Sequence, residues 1–189
     1  MLISYVIHAT AFQFCFQCSL THFDRVDLSL TLPVSYTHLD VYKRQEPILI
    51  HNVDILSNVD LRKFYQMESQ DMIAARLMVS ERKTKRYLLF DDSMRLVGWT
   101  NIETGEVKSP YPDLNPKEYK MYAFSGIHMV APSLFPLMEE EPDKFPIMDF
   151  YLKHCDKVRI EGYVKNDLKL MDVGKQETLK EAEAFLKEL

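Results

Sequence analysis

The feature that most constrains this chain is a series of apolar runs of strand length that begins at Glu46. "PILIHNV" (47–53) and "MIAARLMV" (72–79) are nearly continuous in apolar residues. Such runs fit strands of a parallel sheet covered on both faces, because a strand with one wet side alternates apolar and polar residues. "RYLLFDDSMRLVGW" (86–99) predicts a hairpin turning at Asp91-Asp92-Ser93, and Thr104-Gly105 predicts a second turn. "YKMYAFSGIHMVAP" (119–132) predicts a strand broken at Ser125-Gly126, with a helix begun by Pro132 or Ser133 and running to Met138. "KVRIEGYV" (157–164) and "LKLMDVG" (168–174) add two strands.

Helices are expected between them. Ser57 or Asn58 caps the first, with Asp60 in its opening turn and Leu61, Phe64 and Tyr65 on one face. "FPIMDFYLKHC" (145–155) places Ile147, Phe150, Tyr151 and His154 on one stripe, and "KQETLKEAEAFLKEL" (175–189) closes the chain as a charged amphipathic helix. This order of elements predicts an α/β fold, a mixed sheet with helices on both faces.

Residues 1–45 have a different texture. Apolar and polar residues mix there without a period of 2 or 3.6, and turn signals are sparse. The expected organisation is therefore a non-native or disordered segment over 1–45, followed by part of one domain over 46–189. "PVSYTHLDVYKRQ" (33–45) resembles a translated cloning or sequencing linker that recurs at the ends of unrelated metagenomic reading frames. The apolar opening lacks the basic start of a secretory signal and carries His8 and Gln13 inside its greasy part.

With 189 residues, 47% of them apolar, the chain can bury one sizeable core, and no apolar run is long enough to span a bilayer. A formal charge of -5 gives no electrostatic footprint for nucleic acid or an anionic membrane. A phosphorylated ligand must then be held locally, through a metal. The three cysteines are too few for a disulfide framework and point to a reducing cytoplasm. Cys15 and Cys18 have zinc-knuckle spacing without the second pair that zinc needs.

Ligands of open α/β sheets bind beyond the carboxyl ends of strands, which singles out two acids. Asp54 follows "ILIHNV", and Asp172 follows "LKLM" and precedes Val173-Gly174. Magnesium takes oxygen ligands, commonly one or two carboxylates plus substrate phosphates, so two such aspartates suffice for a metal-nucleotide complex. Each alone reads more readily as a helix cap or a solvated turn than as a metal ligand, and only the pair argues for the metal. Gly126 reads either as a bulge or as a point where backbone meets a ligand's hydroxyls. His51 and His128 read as core or rim histidines, Trp99 as core, and "ERKTKR" (81–86) and "EEEPDK" (139–144) as solvated segments.

Five segments in order carry a resemblance: "LIHNVDILSNVDL", "RYLLFDDSMRLVGWTNIETGE", "AFSGIHMVAPSLFPLM", "FPIMDFYL" and "LMDVGKQETLKEAEAFL". Over residues 46–189 the chain resembles bacterial sugar-1-phosphate nucleotidyltransferases, most nearly the branch of N-acetylmuramate-1-phosphate uridylyltransferase and mannose-1-phosphate guanylyltransferase-like proteins. The resemblance implies a Rossmann-like, GT-A-like sheet without its first βαβ unit. It implies Mg2+ as cofactor, a nucleoside triphosphate (UTP favoured, GTP possible) and a sugar 1-phosphate as substrates, and transfer of the nucleoside monophosphate with release of pyrophosphate.

By the same resemblance, Asp54 and Asp172 match the metal-binding aspartates and Asn52 sits beside the nucleotide. Gly126 faces the sugar, and Asp149 is the looser match to a sugar-side acid. The family's glycine-rich loop, G-G-x-G-T-R-L with a following K-P pair, has no counterpart: residues 1–45 contain no glycine. No catalytic residue is therefore assigned, and the chain as written is expected to turn over poorly. A sugar-phosphate binding module that partners a full-length enzyme is the alternative. A glycosyltransferase ranks last, because "HNVD" offers one acid where that class shows D-x-D.

Overall fold

A computed structural model describes residues 6–9, 17–19, 32–33, 47–67, 73–142, 144–173 and 179–187. Of the first 45 residues only three short strands are described: β1 (Val6–Ala9), β2 (Gln17–Ser19) and β3 (Leu32–Pro33). Cys15, most of "PVSYTHLDVYKRQ" and Gly174 lie outside the described residues.

From Ile48 the order is β4 (Ile48–Asn52), β5 (Ile55–Ser57), α1 (Leu61–Tyr65), β6 (Ile73–Ser80), β7 (Arg86–Phe90) and β8 (Leu96–Asn101). Then come β9 (Val107–Lys108), β10 (Lys120–Val130), α2 (Phe135–Met138), α3 (Ile147–His154), β11 (Arg159–Val164), β12 (Leu170–Asp172) and α4 (Leu179–Lys187). The fold is α/β with a mixed sheet flanked by helices.

The eleven-residue β10 is the spine of the sheet. Its first residues pair with β7, its last four with β4, and β6 pairs along its length, all antiparallel. The parallel pairs are β1 with β4 and β6 with β11. The sequence pattern predicted parallel burial for β4 and β6. Each is instead parallel on one edge and antiparallel on the other, because what a continuous apolar run reports is two covered faces, not strand direction.

Those two faces are visible in the packing. Ile48 and Ile50 of β4 and Leu77 and Val79 of β6 share a core with Phe150, Tyr151 and Leu152 of α3. Leu49 and Met78, the residues between, join Ile127, Met129 and Phe64 of α1 in a second cluster. Alternation with period 2 sends neighbouring apolar residues to opposite faces, and both faces are filled.

Two expectations at the element level are corrected. The strand from Tyr119 is not broken at Ser125-Gly126: β10 runs through it, with a register shift between Phe124 and His128 that absorbs the irregularity as a bulge. The cap of α1 is Asp60, whose Oδ1 accepts from the Lys63 N–H at 2.9 Å, and not Ser57 or Asn58. Ser57 is taken up by β5 and Asn58 by the contact described next.

Candidate active site

β5 and β12 form a separate two-stranded antiparallel sheet in which Asp172 is paired with Ile55. One step further, the Val173 N–H donates to the Asp54 carbonyl at 2.8 Å. The two aspartates singled out from distant parts of the sequence therefore stand on adjacent rungs of one ladder. In a regular ladder Asp54 and Asp172 face opposite sides, but Asp54 lies in the turn before β5, outside that alternation.

Asn58 holds this ladder in place. Its Nδ2 donates to the Asp167 carbonyl at 2.8 Å, its Oδ1 accepts from the Lys169 N–H at 2.9 Å, and its own N–H donates to the Lys169 carbonyl at 3.2 Å. Sequence reasoning missed this role. The available signal was redundancy, since Asn58 and Asp60 cannot both cap the same short helix.

Gly126 closes the corner from the sheet side. Its φ of +77° is in the left-handed region, and a Cβ built there would lie 2.8 Å from Asn52 Nδ2 and 3.0 Å from Ile55 Cδ1. Both readings of Gly126 apply to one residue: it sits at a bulge, and that bulge brings its backbone against Asn52. Asn52, Ile55 and Gly126 are thus in one place, with Asp54 and Asp172 attached through β5.

Asp54 Oδ1 is buried and has no hydrogen-bond partner among the described residues. A buried carboxylate oxygen without a donor is costly unless a cation meets it. This donor chemistry, oxygen only and with two carboxylates, fits magnesium. No group of three or more His, Cys, Asp or Glu side chains among the described residues makes a metal cage.

Asp149 is not part of this corner. It lies in the first turn of α3 on the wall of a cleft of about 350 Å³, where Lys108 Nζ stands 3.4 Å from its Oδ1. Arg82, Arg86, Trp99 and Phe124 line the same cleft. Trp99 packs against the core, as expected, and also borders the cleft, with Lys108 Nζ 5.5 Å from its ring centroid. Arg95 ties the hairpin to the helical wall by donating to the carbonyls of Cys155 and Asp156 at 2.9 and 3.0 Å.

Other candidates are structural. His128 is buried, with Nδ1 2.8 Å from Tyr151 Oη and edge-on contacts to Phe124 and Tyr151. Burial pushes its pKa down to about 3, so it is neutral. His51 pairs through its backbone with Ile127 of β10. Burial pushes the Cys155 thiol up to about 11, which makes it unreactive. "EEEPDK" is not wholly solvated: Glu141 is bonded by Lys153 and approached by His154, and Lys153 holds its carboxyl below the usual range.

No sequence-family profile and no curated protein matches the chain. Its fold does match solved structures. One is described as a glucose-1-phosphate thymidylyltransferase from Bacillus anthracis in complex with sucrose, with TM-score 0.55, 14% identity and 77% of this chain covered. Another is the inositol-1-phosphate CTP transferase from T. maritima, with TM-score 0.52, 14% identity and 76% of this chain covered. The chain spans 56% and 55% of their lengths. It has the fold of sugar-phosphate nucleotidyltransferases. No helix among the described residues is long and apolar enough to cross a membrane.

Proposed function

We propose that the folded part of this chain is the metal- and sugar-binding portion of a cytoplasmic sugar-1-phosphate nucleotidyltransferase. In the reaction a phosphate oxygen of the sugar 1-phosphate attacks the α-phosphorus of a nucleoside triphosphate. The bond from that phosphorus to the bridging oxygen breaks, and pyrophosphate leaves. UTP is the favoured nucleotide and GTP the second candidate, by sequence resemblance alone.

The observation that carries this reading is the ladder that sets Asp54 beside Asp172 at the corner closed by Asn52 and Gly126. Asp54 and Asp172 would hold Mg2+, which when bound neutralises phosphate charge and acts as a template. Asn52, fixed against Gly126, would orient the nucleotide. Gly126, whose lack of a Cβ lets Asn52 and Ile55 pack against it, would stand on the sugar side of the corner. Asp149 would serve the sugar from the cleft.

The chain as written has no glycine before Gly98, so it carries no G-G-x-G-T-R-L cradle for the triphosphate. The test measures pyrophosphate release from UTP or GTP with a panel of sugar 1-phosphates. It compares this chain with a form in which residues 1–45 are replaced by a nucleotidyltransferase N-terminal unit bearing that loop and the K-P pair. The expected result is no turnover by the first and turnover by the second. Turnover by the bare chain would overturn the role given to the loop. Sugar-phosphate binding without turnover in either form would instead make the chain a binding module.

A further inference from the structure

β5 and β12 contribute three residues each to a two-stranded sheet that is separate from the main one, and a two-stranded ribbon alone is marginal in water. So short a ladder does not fix its own register. Burial does not fix it either: Ile55, Leu56 and Ser57 are all half-buried, so neither face of β5 is preferred as the inner one. A slip of one residue would turn Asp172 to the opposite face of the ribbon and part it from Ile55. The alignment that stands Asp54 and Asp172 on adjacent rungs is therefore set from outside the three pairs.

Asn58 is placed to set it. In the register of β5 with β12, Asn58 lies opposite Lys169, one rung beyond Ser57 and Leu170, while Asp54 lies opposite Val173 at the other end. The Asn58 N–H donates to the Lys169 carbonyl at 3.2 Å, and the return bond from the Lys169 N–H, at 2.9 Å, is accepted by the side-chain Oδ1 of Asn58. Its Nδ2 donates to the Asp167 carbonyl at 2.8 Å. A slipped strand loses this match, because the donor and acceptor of one side chain are fitted to residues 167 and 169 together. The turn that Asn58 grips is itself tied to the main sheet. The Lys165 N–H donates to the Val79 carbonyl of β6 at 3.0 Å, and Lys165 Nζ donates to Asp167 Oδ1 at 2.8 Å. Position is thus passed from β6 through the turn and Asn58 to the two aspartates.

We propose that Asn58 is a positioning residue for the metal pair: its side chain locks the register of β5 against β12, and that register brings Asp54 beside Asp172. It is not a ligand, since it stands at least three residues along the ladder from either aspartate, about 10 Å. The inference deepens the proposed function and rests on it for the metal. The lock itself rests on the hydrogen bonds alone.

The test compares the full chain with Asn58→Ala, Asn58→Asp and, as a control for plain loss of stability, Ile160→Val in the buried core. Amide hydrogen exchange reads the far end of the ladder at the Val173 N–H, and water-proton relaxation reads Mn2+ affinity. In Asn58→Ala the Val173 amide should exchange about tenfold faster, the change that losing about one hydrogen bond gives, and by a larger factor than the amides of β10. Mn2+ should bind about tenfold more weakly, as when an outer partner of a metal ligand is removed. Asn58→Asp keeps the acceptor for Lys169 and loses the donor to Asp167, so it should fall between. Its added charge lies beyond the screening length of about 8 Å at 0.15 M salt. Ile160→Val should leave Mn2+ affinity unchanged.

Val173 exchange unchanged in Asn58→Ala would overturn the lock. Mn2+ affinity unchanged in Asn58→Ala, or lowered as much by Ile160→Val, would overturn the positioning role while the metal reading stands. A native chain that binds no Mn2+ would overturn the metal reading and the positioning role with it.

Discussion

His128 and Asp54 are both polar groups that the sequence places at the margin of an apolar strand, yet the structure treats them oppositely. His128 is buried with Tyr151 Oη at 2.8 Å from its ring nitrogen, and its surroundings hold it neutral. Asp54 has a buried oxygen with no partner among the described residues. A buried polar group with a partner belongs to the fold, whereas a strand-end carboxylate oxygen without one among the described residues is a candidate for meeting a ligand. Two residues apart on β10, Gly126 and His128 therefore belong to different parts of the molecule, one to the corner that holds Asn52 and Ile55 and one to the core.

The largest effect expected from this contrast is on acid stability. His128 has a folded pKa of about 3 against an ordinary value of 6.5, so between those values the unfolded chain binds a proton that the native chain refuses. Stability from this residue is complete above pH 6.5 and is lost as pH falls through that window, at about 1.4 kcal/mol per pH unit for one proton. Urea unfolding of the native chain and of His128→Gln at several pH values isolates the difference. Equal pH slopes in the two proteins would show that His128 is not held neutral by the core.

Asp54 should behave the other way. Asp54→Asn removes a carboxylate whose buried Oδ1 has no hydrogen-bond partner among the described residues, so unfolding stability should hold or rise. Binding of Mn2+, followed by water-proton relaxation as a stand-in for Mg2+, should weaken by up to about a hundredfold, the range that even an outer partner of a metal ligand commands. Asp172→Asn should give the same metal result. A destabilised Asp54→Asn protein with unchanged Mn2+ binding would place Asp54 with His128 as a part of the fold.

Gly126→Ala comes next. The substitution forces a side chain into φ +77° and sets a methyl 2.8 Å from Asn52 Nδ2, so a loss of about 2 kcal/mol is expected in urea unfolding. A neutral result would mean that Asn52 swings aside without cost and that the corner is looser than its geometry.

How much of this was legible in the sequence follows from how local each signal is. The longer strands from Ile48 to Val164 were readable because apolar runs with turns at their ends need no partner to be recognised, whereas the short β5, read as a loop and helix cap, was not. Asp54 and Asp172 were readable as strand-end acids, but not as neighbours, because the pairing of β5 with β12 joins segments more than a hundred residues apart. Asn58 was misassigned for the same reason: its partners, Asp167 and Lys169, are distant in the chain, and locally it looks like a cap. Direction of pairing was hidden as well, since burial on two faces leaves the same pattern in parallel and antiparallel strands. The cleft was least legible. Arg82 and Arg86 sit in a segment that reads as a solvated turn, and only the fold brings Lys108, Trp99 and Asp149 opposite them.

The smallest predicted effect bears on that cleft. Lys108 and Asp149 form an exposed pair with side-chain accessibilities of 47% and 55%, and such pairs contribute less than about 1 kcal/mol because water screens them and both chains lose freedom. Lys108→Ala should therefore leave urea unfolding unchanged within that margin, while affinity for a sugar 1-phosphate probe such as glucose 1-phosphate falls and loses part of its salt dependence, because one of the cations lining the cleft is gone. If the substitution instead costs more than about 1 kcal/mol and leaves probe binding intact, the pair is a strut between β9 and α3. Lys108 would then resemble His128, a polar group whose partner is the protein, and the cleft would keep only its two arginines as candidates for meeting a ligand.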